Sequence, residues 1–180
     1  MLAAAVFALI LTGAVQDADP AQAARDALDA EVEALVESDA FAATIRERPW
    51  ARDPNWITRG PGAVGRMHDL CTGAVEPKPD LGIGPWEYET FDPRRLSASQ
   101  REQVKLWRAR SGGAVYYCFA ALELHAGAPE ARARLGCPSQ GGMTFSAFTA
   151  YVERRPELRA SDDLSGVALA ALREAGACKG

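Results

Sequence analysis

The chain has 180 residues, 48% hydrophobic and 24% charged, an ordinary globular composition with length for one domain and a sizeable core. Twenty Lys and Arg against 24 Asp and Glu leave a net charge of −4, which argues against nucleic acid as a partner because there is no overall cationic field to hold phosphates. Only two histidines, His68 and His125, are available as general bases or metal ligands, so the composition argues against an enzyme and against a metal or cofactor site.

From the N-terminus, Met1 to Leu11 is an apolar run, shorter than the roughly 20 residues needed to span a bilayer. It reads as the apolar region of a signal peptide; small-x-small cleavage sites occur at Thr12-Gly-Ala14 and at Ala21-Gln-Ala23, the second preferred for its Ala-x-Ala form and the preceding Pro20, so residues 1–23 are expected to be removed on export, leaving no membrane anchor. Export places Cys71, Cys118, Cys137 and Cys178 in an oxidising setting where an even count allows full pairing. Three pairings exist. Cys71–Cys118 with Cys137–Cys178 is the expected one, since each bridge joins a helix to a segment that must return beside it in a compact bundle.

Residues 24–61 read as an N-terminal helix and linker. Leu28, Val32, Leu35 and Val36 fall at helical spacing in a stretch running to Arg46, and Pro49 to Pro61 suits an irregular connection carrying Trp50 and Trp56. A domain boundary is expected near residue 60. From Gly62 to Gly73 the spacing of Val64, Met67, Leu70 and Cys71 predicts a short helix with Cys71 toward a core. The segment 76–96 is rich in proline at its start and reads as an insertion carrying Trp86 and Tyr88. Ser97 and Gln100 form a capping-box pattern that should open a helix reaching Leu124, with Gly112 and Gly113 kinking or dividing it. Its second half, Ala114 to Leu124, is nearly all apolar and is expected to be the central buried helix.

Gly136 to Gly142 is a turn-rich loop leading to a Thr144 cap. Phe145, Phe148, Tyr151 and Val152 then mark a core helix that ends at Pro156. Ser161-Asp-Asp163 opens a last helix with the stripe Leu164, Val167, Ala168, Ala171, Leu172 and Ala175. No alternating strand competes. The fold class is all-α, a compact helical bundle clamped by disulfides and preceded by a signal peptide.

No nucleophile, base and orienting group can be assembled from the motifs. His68 and Cys71 share a helical face at i and i+3, a weak metal half-site outweighed by an ordinary helix histidine. The glycines of Gly60 to Gly65 and of Gly82 to Gly84 follow no strand, so turn chemistry accounts for them better than phosphate binding. Glu31 with Glu33, and Asp162 with Asp163, suit a solvated face and a helix start better than an acid–base pair. The aromatic residues Trp50, Trp56, Trp86, Tyr88 and Trp107 suit core or loop anchoring before a ligand platform. A binding protein remains.

From about residue 62 to the end the chain resembles the Rap/Tai family of type VI secretion amidase immunity proteins. The matching features are Leu70-Cys71; Cys118-Phe-Ala-Ala; the run from Cys137-Pro-Ser-Gln to Thr144; Phe148 to Val152 with Pro156-Glu-Leu158; and Ala171 to Ala175 before Cys178. The resemblance implies that residues 62–180 form a helical immunity domain in the periplasm. It implies a protein partner, a peptidoglycan amidase toxin whose cleft a rigid loop occludes, and it leaves room for a homodimer. The loop after Cys137, with Ser139, Gln140, Gly141 and Gly142, is the first expected contact, and Trp86 with Tyr88 is the second. A helical envelope protein with another binding role, and after it a small secreted hydrolase, are the competing readings.

Overall fold

The computed structural model describes residues 19–53, 55–57, 60–84, 86–126, 132–133, 136 and 145–176, with side chains through 122 in the long central helix. Among these residues there are α-helices and 3-10 turns and no strand, so the all-α reading holds.

Helix α1 spans Pro20–Val36, started by Pro20 and by Asp19, whose carboxylate accepts from the Ala21 amide at 2.9 Å. The single helix expected up to Arg46 is in fact two, because α2 spans Asp39–Arg46. Ser38 divides them: its hydroxyl donates to the Leu35 carbonyl at 2.7 Å and accepts from the Phe41 amide at 3.2 Å, ending one helix and capping the next. A short α3, Pro49–Arg52, follows, and α4 spans Ala63–Cys71 after Gly62, which takes the left-handed conformation at φ 78°.

Helix α5 runs unbroken over Ala98–Ala126. The capping box that opens it is formed in both directions, with the Gln100 amide donating to the Ser97 hydroxyl at 3.2 Å and the Ser97 amide to the Gln100 side chain at 2.8 Å. Gly112 and Gly113 do not divide it. Packing outweighs their poor propensity: a Cβ on Gly113 would stand 3.3 Å from Ile45 Cδ1 and 3.7 Å from Trp50, so this glycine lets α2 and α3 lie close against α5. Helices α6, Phe145–Glu153, and α7, Leu164–Glu174, follow, with 3-10 turns at Pro93–Arg95 and Pro156–Ala160. Asp163 caps α7 through the Gly166 amide at 2.9 Å.

The main core joins Trp50, Ile57, Met67, Leu70, Cys118, Leu122, Phe148, Val152 and Leu172 from α3 through α7. Each such side chain contributes about 1.5–3 kcal/mol on burial. Trp50 and Ile57 lie in the same cluster as Val64, so the boundary expected near residue 60 falls inside a continuous core. A second cluster, Leu28, Leu81, Trp86, Tyr88 and Val104, lies where the segment after Glu76 wraps the first half of α5 and pins α1 to it. On α6, Phe148 and Val152 are fully buried while Phe145 is exposed, and Tyr151 lies beneath the Arg155 guanidinium at 4.0 Å. The α7 stripe is buried from Leu164 to Leu172, whereas Ala175 is exposed.

Candidate functional site

Helix α5 is held at three places. Near its end, Cys118 is bonded to Cys71 of α4, both side chains buried, with Cα atoms 5.0 Å apart. At its middle, Glu76 is a buried carboxylate, only 5% exposed, that accepts from the Trp50 indole at 3.1 Å and pairs with Arg48 at 3.3 Å. The backbone carbonyl of the same residue accepts from the Trp107 indole of α5 at 3.2 Å. Toward its start, Arg101 pairs with Glu31 of α1 at 2.7 Å, and that hydrogen bond holds the Glu31 carboxyl below its usual range. These restraints fix which face of α5 turns inward.

The inward face is Ala114, Cys118 and Leu122. The outward one corrects the expectation of a helix buried all round. Tyr116 is 76% exposed, Phe119 47% and Tyr117 38%, and Val36 at the end of α1 is 46% exposed. Tyr117 still touches the core, edge-on to Trp50 with ring centroids 5.1 Å apart. The sequence from Ala114 to Leu122 has no charged residue, so this face offers apolar surface and phenol hydroxyls only. Aromatic residues grouped on a rigid element are the composition of protein-binding surface.

Beside it, α1, α2 and α5 bound a groove of about 540 Å³, lined by Val32, Val36, Phe41, Ile45, Gly112 and Tyr116 among others, with Arg46 and Arg108. A second cleft of about 730 Å³ lies beyond Gly112, between α1 and the turn after α4, and has Asp29, Glu33, Lys78 and Ser111 on its walls.

Trp86 and Tyr88, expected as a second contact surface, are 8% and 5% exposed. Their chemistry explains the inward placement. Trp86 packs edge-on to Trp107 at 5.5 Å and under the Lys78 ammonium at 4.4 Å, and its carbonyl accepts from that same ammonium. The Tyr88 hydroxyl donates to Asp29 of α1 at 2.6 Å, and Arg108 lies 4.1 Å over its ring. Burial, with the adjacent Asp29 carboxylate, pushes the Tyr88 phenol up to about 12. Both rings anchor the proline-rich segment and neither is presented to a partner. Cys137, Ser139, Gln140, Gly141, Gly142 and Cys178 lie outside the described residues, as does the side chain of His125.

His68 and Cys71 form no ligand pair, since the sulfur is in the disulfide. The ring is placed by Arg159, whose guanidinium lies 2.5 Å from Nδ1, and Nε2 lies 3.7 Å from the Glu153 carboxylate. Arg159 also donates to Asp69 at 2.6 Å, tying the 3-10 turn to α4. Among the described residues no three His, Cys, Asp or Glu side chains could hold a metal ion, and no helix is long and apolar enough to cross a membrane. No family model, curated protein or solved structure matches the chain.

Proposed function

We propose that the protein is a periplasmic binding protein of the immunity type that masks a peptidoglycan amidase effector of a type VI secretion system. One observation carries the binding half: the uncharged aromatic outer face of α5, on a helix held by a disulfide and a buried carboxylate. A surface already rigid loses little conformational freedom on association, and Tyr and Phe side chains supply large contact area for few rotatable bonds. The amidase half rests on the order of cysteines and helices from Leu70 to Cys178 that is similar to the Rap/Tai proteins. The mechanism is steric, in that a bound protein covers the amidase cleft and substrate is kept out without turnover.

The test is protection. A panel of type VI amidase effectors is exported to the periplasm of a host with and without this protein, and lysis is scored. Protection against a member of the panel, lost in Tyr116→Asp/Phe119→Asp with unchanged circular dichroism, is the expected result. A purified protein that neither protects against nor co-elutes with any of them overturns the amidase half. A partner of another kind, bound through the same two aromatics, selects the envelope-protein reading instead.

A further inference from the structure

Gly112 stands in the interior of a 29-residue helix, where glycine costs about 1 kcal/mol relative to alanine. Its neighbour Gly113 has a reason within the fold, the close approach of Ile45 and Trp50. Gly112 shows none: among the described residues, its own helical turns and chain neighbours apart, no atom lies within 4 Å of the position its Cβ would take. It is instead the open floor of the groove between α1, α2 and α5. Bare backbone at the bottom of a groove admits another chain more closely than any side chain would.

The walls and rim describe what that chain carries. Val32, Val36, Phe41, Ile45 and Tyr116 make the walls apolar, and no acidic side chain lines the groove. Arg46 and Arg108 line it as well, and among the described residues neither makes an ion pair, Arg108 resting on the Tyr88 ring instead. Arginine beside tyrosine is the composition of energetically dominant protein contacts, more than of a site for an acyl chain. A groove walled by helices suits a helix, whose axis can lie about 8–10 Å from α5, and the glycine floor favours the short end of that range.

We propose that this groove receives an amphipathic helix of a partner protein, its apolar stripe over Gly112 and its acidic residues on Arg46 and Arg108. This rests on the binding function proposed above but not on the partner being an amidase.

The experiment selects phage-displayed helical peptides on the intact, disulfide-bonded protein. The enriched peptides should carry apolar residues at i, i+3 or i+4, and i+7, with Asp or Glu flanking them. In Gly112→Leu the leucine raises helix propensity while its side chain fills the groove, so the melting temperature should be equal or higher and affinity for those peptides at least about tenfold lower. Arg46→Glu should weaken the same peptides about tenfold and shift selection toward Lys flanks. The proposal is overturned if no helical peptide is enriched, if the enriched ones lack acidic residues, or if Gly112→Leu binds them like the wild type. Sedimentation showing a dimer that Gly112→Leu converts to monomer would give the groove to a second copy of the chain, and displacement of the peptides by palmitate would give it to an acyl chain. Either overturns it too. Amidase protection is scored separately: peptide binding at Gly112 without protection sinks the immunity reading alone, and protection untouched by Gly112→Leu sinks the groove alone.

Discussion

Replacing Glu76 with alanine removes the acceptor of a fully buried indole and the partner of Arg48 in one step. The cost can be assembled from its parts. Trp50 is 1% exposed, so its unpaired N–H has no route to water and costs about 1–3 kcal/mol. Arg48 is 29% exposed and can be rehydrated, which limits the lost ion pair to about 1 kcal/mol or less. The deleted methylene adds about 0.8 kcal/mol. The total is about 3 kcal/mol, a fall in melting temperature of about 6–12 °C for a chain of this size. Glu76→Gln keeps an acceptor for the indole and should cost only about 1 kcal/mol. Thermal unfolding followed at 222 nm and guanidinium unfolding followed by tryptophan fluorescence give both values, and a cycle with Trp50→Phe isolates the pair, with a coupling of about 1 kcal/mol or more expected. The reasoning fails if Glu76→Ala costs under about 1 kcal/mol, or if Glu76→Gln is as damaging as alanine.

Three further outcomes follow from named contacts. The Cys71–Cys118 bridge spans 47 positions, for which the chain-entropy model gives about 4 kcal/mol; Cys71→Ala/Cys118→Ala should lose most of it in guanidinium titration, and a loss below about 1 kcal/mol would show that the bridge barely restrains the unfolded chain. A Cβ on Gly65 would stand 2.6 Å from the Arg159 carbonyl, so Gly65→Ala should destabilise by about 1–3 kcal/mol although alanine is the better helix former, and an unchanged or raised melting temperature would contradict that contact. Tyr88 has its phenol raised from 10.0 to about 12, so the folded state binds the more protons over that interval and stability should fall as pH rises through it; Tyr88→Phe should flatten that part of the pH profile, and an unchanged slope would remove Tyr88 as its source.

The elements with short, strict signals were readable in the sequence. Ser97 and Gln100 announce the start of α5, and the stripe from Leu164 to Leu172 is buried as its spacing requires, whereas Ser161-Asp-Asp163 places the start of α7 only to within a few residues, its cap being Asp163 and its first turn holding no carboxylate. The division at Ser38 was harder to see, because a serine in a stretch rich in Ala, Glu and Leu reads equally as a tolerated helix residue and as a cap, and hydroxyl geometry decides between them. The boundary near residue 60 misread composition as autonomy: Pro49 to Pro61 is irregular chain, but Trp50 and Ile57 place it inside the core.

The candidate site was the least readable part, and the reason lies in α5. An apolar run from Ala114 to Leu124 is what a wholly buried helix requires and equally what a helix requires when a second protein is to cover one face. Spacing cannot choose, because either case leaves apolar residues all round. The choice is made by contacts distant in sequence: Cys71 fixes the direction of Cys118, and Ile45 and Trp50 press on Gly113. With those set, the advance of about 100° per residue carries Gly112, Tyr116 and Ala120 to the outside at i, i+4 and i+8. Two adjacent glycines, alike as a helix-breaking signal, thus serve opposite directions. Gly113 makes room for this chain's own core, and Gly112 leaves room that no other described residue occupies.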